Sequence, residues 1–151
     1  MKPEETIDFH IKKTWQSIAR MYNEEAQKYG GTMATGYVLL NIDLEKGTPS
    51  TALGPKMGME ATSLSRTLKS MEDRGLITRK RNPKDGRSVL ICLTDFGKIK
   101  REDAKLAVLQ FNEVIQAKIG KKRLTSFFKV MGEVNELIAT KKIYGGDDAN
   151  D

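Results

Sequence analysis

The sequence predicts a mainly α (α+β) fold: one small β-hairpin set among helices, with long helices at both flanks. Three observations lead there. Apolar residues recur at three- and four-residue spacings over most of the 151-residue chain. Only residues 76–93 read as two strands, joined by a segment rich in turn signals. The formal net charge is +6, and the excess gathers around that hairpin rather than spreading over the chain.

The elements follow in order. From Glu4 to Tyr29, Ile7, Ile11, Trp15, Ile18, Tyr22 and Tyr29 form one apolar stripe, a long amphipathic helix that Gly30-Gly31 stops. A second helix is predicted from about Thr35 to Glu45, ending at Lys46-Gly47. Thr48-Pro49-Ser50 then offers a turn and an N-cap. The short segment Thr51 to Met57 precedes Gly58 and a clear helix from about Glu60 to Arg74, ended by Gly75. Two short helices around a glycine-containing turn outline a helix-turn-helix. Gly54-Pro55 predicts a late start or a kink in the first of them, because proline lacks the N–H that its turn would donate.

After Gly75 the pattern changes. Leu76 to Arg81 and Ser88 to Leu93 read as two strands, and Asn82 to Arg87 joins them through Asn-Pro and Asp-Gly turn signals. Thr94 is placed to cap a helix from about Asp95 to Ile119, which Gly120 interrupts. The last helix, about Lys121 to Ile143, carries Leu124, Phe127, Phe128, Met131, Val134 and Ile138 on one face. The small acidic end, residues 145–151, is predicted to be disordered. Both flanking stripes need a partner surface that one small chain does not supply.

Composition narrows the function. One cysteine, Cys92, permits no internal disulfide and suits a reducing compartment. No apolar run approaches the roughly 18 residues needed to span a bilayer, and the first residues lack the apolar centre of a signal peptide. A cytoplasmic protein with no membrane partner is expected. One histidine, His10, with no cysteine cluster makes no zinc site, so it reads as a helix-surface residue, and no metal or cofactor is expected. There is no nucleophile–base pairing, no phosphate-cradling glycine loop and no paired-carboxylate site, so the chain does not read as an enzyme. Cys92, in an apolar strand, reads as a small buried hydrophobe.

Charge points to a polyanion. From Arg66 to Arg101 there are eleven cations and four anions, a net +7, so the rest of the chain is near neutral. Such a surface suits nucleic acid first and an acidic membrane surface second. On a helical projection of residues 60–74, Ala61, Leu64, Leu68 and Met71 fall on one side, and Thr62, Ser63, Arg66, Lys69, Ser70 and Asp73 on the other. Hydroxyls and cations reach phosphates, and a long arginine reaches a guanine edge in a major groove. The candidate DNA-contacting residues are Ser50, Thr51, Thr62, Ser63, Ser65, Arg66, Thr67 and Lys69 from the helices. The hairpin adds Lys80, Arg81, Lys84, Asp85 and Arg87. Arg87 is read as the tip that enters a minor groove. Asp85, two residues away, is placed to accept a hydrogen bond from its guanidinium. Val89, Ile91 and Leu93 alternate onto one face and anchor the hairpin to the core.

A recognition helix followed directly by a basic two-stranded turn is a winged helix-turn-helix. The chain here resembles the MarR family of bacterial transcription regulators. The resemblance is carried by Leu53 and Met57-Gly58-Met59, by Thr62 to Leu68, by Met71-Glu72-Asp73-Arg74-Gly75-Leu76-Ile77-Thr78-Arg79, and by Asp85-Gly86-Arg87 running through to Leu93-Thr94-Asp95-Phe96-Gly97. It covers roughly residues 50 to 97, and Gly54-Pro55 departs from the regular helix that the family has there.

The resemblance implies a homodimer. Residues 1–31 and 98–144 would be the helical dimerisation region, and 32–97 the DNA-binding domain. Two recognition helices would then lie about 34 Å apart, on successive major grooves of a pseudopalindromic operator in double-stranded DNA. Repression is the implied default. A small effector, often aromatic and anionic, is implied where the helical layer meets the DNA-binding lobe, with Trp15, Tyr22, Met33 and Tyr37 as candidate lining residues that also suit plain core packing. Some relatives sense oxidants through a cysteine that tends to lie in the first helix, which has none here. Two other readings stay open: a nonspecific architectural DNA binder, for which the acidic tail is poorly suited, and a protein-interaction module, against which Arg66, Lys69 and Arg87 argue.

Overall fold

A computed structural model describes residues 1–145 of the chain. Of the tail predicted to be disordered, residues 146–151 lie outside the described residues. The elements are a 3-10 turn (Pro3–Glu5), α1 (Ile7–Gln27), α2 (Met33–Asn41), β1 (Thr48–Pro49), α3 (Ser50–Met57), α4 (Ala61–Asp73), β2 (Ile77–Arg81), β3 (Val89–Leu93), α5 (Asp95–Ile119) and α6 (Lys121–Ala139). Among the described residues, no helix is long and apolar enough to cross a membrane. The fold is mostly helical with one small antiparallel sheet, as the sequence predicts.

Local side-chain chemistry sets the boundaries that periodicity missed. Thr6 is extended and its hydroxyl donates to the Pro3 carbonyl at 2.7 Å, which separates the 3-10 turn from α1. The side chain of Thr32 accepts the N–H of Thr35, so α2 starts at Met33 rather than at Thr35. It also ends well before Glu45. Ile42 is extended and fully buried, and the Asp43 carboxylate captures the N–H groups of Glu45 and Lys46 at 2.9 and 2.8 Å. Those two bonds, Lys46 first, hold the Asp43 carboxyl below its usual range. Aspartate here competes with the helix for its own backbone donors.

The sheet has three strands in the order β1-β3-β2, one more than the predicted hairpin. The added strand pairs Thr48 with Ile91 and Pro49 with Leu90. It comes from the segment read as a turn and cap, and Pro49 rather than Ser50 is the N-cap of α3. In the hairpin, Ile77 pairs with Leu93 and Arg81 with Val89. The late start expected for α3 is not found: the helix begins at Ser50 and includes Pro55. Left-handed Gly58 closes it, its N–H returning to the Gly54 carbonyl.

One apolar cluster holds these elements together. Val38, Leu39 and Ile42 from α2 and its end meet Leu53 of α3, Leu64, Leu68 and Met71 of α4, then Leu76, Ile77 and Ile91. Each is nearly or fully buried, a contribution of about 1.5–3 kcal/mol per side chain. Val89 and Leu93 pack against the same cluster, so the predicted anchoring face of the hairpin is present. Ala61, assigned to the buried side of α4, is exposed instead, because the helix begins there and its first turn stands clear of the core. Cys92 is half-buried rather than buried: it faces away from Ile91 and covers Gly47, where a Cβ would lie 2.6 Å from its sulfur.

The turn from β3 into α5 explains a run of sequence. Thr94 donates its hydroxyl to the Gly75 carbonyl at 2.6 Å and accepts the N–H of Gly97 at 2.9 Å. Its own N–H goes to the Leu76 carbonyl at 3.1 Å. That carbonyl stands 2.0 Å from where a Cβ on Gly97 would be. Threonine caps the helix and glycine lets it approach, so Leu-Thr-x-x-Gly is a packing requirement.

Packing divides the chain into two units, Met1–Val108 and Leu109–Asp151. The second holds the end of α5 and α6. There Phe111, Ile115, Leu124, Met131 and Val134 are half-buried, while Val114, Phe127, Phe128 and Ile138 are more than half exposed. In the first unit, Ile7, Ile11 and Trp15 of α1 are 60%, 44% and 48% exposed.

Candidate nucleic-acid interface

The helix-turn-helix is α3, the turn through Gly58, and α4. Leu64, Leu68 and Met71 fix α4 to the core, and that placement leaves Thr62, Ser63, Ser65, Arg66 and Lys69 on the exposed side. Thr67 is half-buried, and its hydroxyl donates to the Ser63 carbonyl at 3.0 Å. Thr51 is exposed and Ser50 half-buried, both in the first turn of α3, where unpaired backbone N–H groups favour an anion. Arg66 and Lys69 line a shallow groove with Ser65, Ser70, Asp73 and Arg74.

The wing is built from two side-chain turns. Asn82 Oδ1 accepts the N–H of Lys84 at 3.0 Å, and Asp85 Oδ1 accepts the N–H of Arg87 at 3.0 Å. Across the base, Asn82 donates to Ser88 Oγ at 2.8 Å, and the Ser88 N–H and hydroxyl both reach the Asp85 carbonyl. Ser88 is buried, so these bonds fix the tip to the sheet. The expected contact between Asp85 and the Arg87 guanidinium is replaced by one to the Arg87 backbone, because the tight turn brings that N–H over the carboxylate first. Lys80, Arg81, Lys84, Asp85 and Arg87 are all exposed.

Ion pairs sort the cations. Lys69 pairs with Asp73 at 3.1 Å, and Arg79 with Glu72 at 3.2 Å, which ties α4 to β2. Among the described residues, Arg66, Lys80, Arg81, Lys84 and Arg87 enter no ion pair within the chain. Cations left without internal partners can meet phosphates without breaking an ion pair, whereas Lys69 does so by giving up Asp73.

Behind α4 lies a second feature. A largely apolar cavity of about 80 Å³ is lined by residues of α1, α2 and α5, including Tyr22, Met33 and Tyr37, with Arg74 and Lys100 among its charged groups. Burial pushes both phenols up, Tyr22 further helped by its neighbour Tyr37, so both stay neutral. Tyr22 meets Tyr37 edge-on, with ring centroids 6.3 Å apart. Trp15 does not line the cavity; it stacks on Tyr37 with centroids 6.4 Å apart. Arg74 and Lys100 were not among the sequence candidates. A signal was present at Arg74, an arginine directly before the glycine that ends the recognition helix. His10 is exposed and its Nε2 lies 2.7 Å from the Glu4 carbonyl oxygen. Among the described residues no group of three or more histidine, cysteine or acidic side chains could hold a metal ion.

A helix-turn-helix packed on a buried core, a basic wing and a recognition helix with an exposed polar and cationic face define a winged helix DNA-binding protein. Residues 32–89 match the MarR family. The chain is 32% identical over 104 residues to the organic hydroperoxide resistance transcriptional regulator of Bacillus subtilis (strain 168), covering 69% of this chain and 71% of that one. The chain belongs to the MarR family of transcriptional regulators. Two solved structures show the same fold. One is the PcaV transcriptional regulator from Streptomyces coelicolor in complex with its natural ligand, with TM-score 0.75, 21% identity, and 90% of this chain and 96% of that one covered. The other is CouR from Rhodococcus jostii RHA1 bound to p-coumaroyl-CoA, with TM-score 0.76, 18% identity, and 89% and 94% covered.

Proposed function

We propose that the chain is a cytoplasmic repressor that binds a pseudopalindromic operator as a homodimer and is released by a small aromatic anion. The observation that carries the DNA part is the set of cations without internal partners on α4 and the wing, held there by a buried core and by two hydrogen-bonded turns. In this reading Arg66 reads a base edge, Ser50, Thr51, Thr62, Ser63, Ser65, Thr67 and Lys69 position phosphates, and Arg87 enters the minor groove beside Lys80, Arg81 and Lys84. Residues 32–97 are the DNA-binding domain, and residues 1–31 and 98–144 the dimerisation region.

The exposed apolar side chains of α1 and α6 support dimerisation, because Ile7, Ile11, Trp15, Phe127, Phe128 and Ile138 are 44–63% exposed, surface that a second copy would cover. The effector part is supported by the apolar cavity with Arg74 and Lys100 in its lining. CouR, which shares the fold, has been solved with p-coumaroyl-CoA bound. Sedimentation of the purified chain with and without selected duplex tests the assembly. Two chains per duplex is the expected result, and one chain per duplex contradicts it.

A further inference from the structure

Arg74 belongs to two surfaces at once. It lines the apolar cavity and also the groove that holds Arg66 and Lys69. It is the C-cap residue of α4, and its guanidinium Nη2 donates to the carbonyl of Gly30. Gly30 sits in the left-handed turn that closes α1, where Gly30 and Gly31 return their N–H groups to Gln27 and Ala26. The end of a helix presents carbonyl oxygens and partial negative charge, so a cation is favoured there. One side chain therefore ties the end of α1 to the end of the recognition helix, in the lining of the cavity.

The other charged groups of that lining are committed elsewhere. Lys100 pairs with Asp103 at 3.5 Å and lies over the rings of Tyr29 and Phe96. Glu25 pairs with Lys28 at 2.7 Å. The partner of Arg74 is a neutral carbonyl. A carboxylate adds an opposite charge to the bond with a guanidinium, and can take two of its N–H groups together. An anion entering the cavity has one guanidinium that it can win.

We infer that Arg74 couples the cavity to the recognition helix: the anionic group of a ligand takes the guanidinium from the Gly30 carbonyl and so unties α4 from α1. The inference rests on the effector reading of the cavity and adds the residue through which the effector acts. Because Arg74 sits at the C-terminal end of α4, losing the tie changes the angle at which Arg66 and Lys69 present themselves, not the core beneath them.

The test uses the full chain, benzoate as the anionic probe, benzamide as its uncharged isostere, and a duplex selected in vitro by the wild-type protein. Trp15, the single tryptophan, stacks on Tyr37 of the cavity lining, so its emission reports occupancy. Operator affinity is read by fluorescence anisotropy, with benzoate raised until Trp15 emission saturates. In the wild type, benzoate should lower operator affinity by about 5- to 150-fold, the usual span of coupling between sites. Benzamide should occupy the cavity with little release.

Arg74→Ala should bind operator more weakly without any probe, and saturating benzoate should release it no further. Arg74→Lys, which keeps a cation, should restore part of both. The ratio of affinities with and without benzoate is a readout that a phosphate contact or a structural role for Arg74 would leave unchanged. Release of Arg74→Ala by the full wild-type factor overturns the inference alone. Wild-type protein in which millimolar benzoate changes neither Trp15 emission nor operator affinity overturns the effector reading, and the inference with it.

Discussion

The carboxylate of Asp85 accepts the backbone N–H of Arg87 at 3.0 Å. An acidic residue thus sits at the tip of the basic wing for a conformational reason: it holds the turn that carries Arg87. Asp85→Ala should weaken operator binding even though it removes a negative charge, by about 1 kcal/mol or roughly fivefold, the net worth of one such bond. Asp85→Asn keeps the acceptor and sheds the charge, so it should bind at least as well as wild type. Anisotropy titrations of the three proteins decide this, and tighter binding by Asp85→Ala would refute it.

Arg66 and Arg87 should fail in different ways. Arg66 lies on the exposed face of α4, and in the proposed function it reads a base edge. Arg66→Ala should cost about 1–3 kcal/mol and relax the preference at one position of each half-site. Arg87→Ala should weaken binding to A·T-flanked sites most and make the slope of log affinity against log salt shallower by about 1 per subunit. Salt titrations on operators varied one base pair at a time separate the two.

Gly97 is held to glycine by the Leu76 carbonyl, 2.0 Å from a would-be Cβ. Gly97→Ala must push α5 away from the Leu76 backbone and should cost on the order of 3 kcal/mol. For a chain of this size that is a fall of roughly 10 °C in melting temperature. Gly36→Ala is the control: its Cβ would meet Ala104 at an ordinary 3.6 Å, inside α2, and the change should be neutral or stabilising. Calorimetry or thermal circular dichroism of both variants checks the contrast.

The turn at Asp43 should carry a pH signature. Its carboxyl is held below the usual range by the N–H groups of Lys46 and Glu45. The folded pKa is lowered, so the stabilisation is complete above the ordinary carboxylate value, about 3.9, and is lost as pH falls through the lower folded value. The stability gap between wild type and Asp43→Ala should therefore be widest near neutral pH and close in acid. Asp43→Asn, which keeps the acceptor without the titration, should show no such closure. Denaturant midpoints measured across that range test it.

The recognition helix and the hairpin were legible because their signals are local and redundant. Gly75 stops α4, Asp85-Gly86 marks the turn, Thr94 and Gly97 open α5, and Leu64, Leu68 and Met71 show the buried side by spacing alone. What escaped depends on contacts between distant segments or on single hydrogen bonds. Thr48-Pro49 becomes a strand only because Leu90 and Ile91 lie beside it, and two residues have no periodicity to read. The early end of α2 is decided by one carboxylate and a buried Ile42.

The site divides in the same way. Exposed residues on α4 and the wing follow from helical phase and turn chemistry, so those candidates were all found on the exposed or half-exposed surface. Arg74 was not among them, because its importance lies in a bond to Gly30, 44 residues earlier. Asp85 was assigned to the right neighbour but to the wrong atom. Sequence distance shows that two residues meet; only the turn geometry shows which groups do.

A symmetric pair of recognition helices should bind DNA sequence-specifically. The most direct measurement is selection of bound duplexes from a random library by the full chain, followed by affinity titrations of the winners against scrambled duplexes over a salt series. The expected winner is an inverted repeat with half-sites about 10 base pairs apart, centre to centre, bound at least about 10³-fold more tightly than scrambled DNA at physiological salt. Equal affinity for selected and scrambled duplexes at every salt concentration would contradict it.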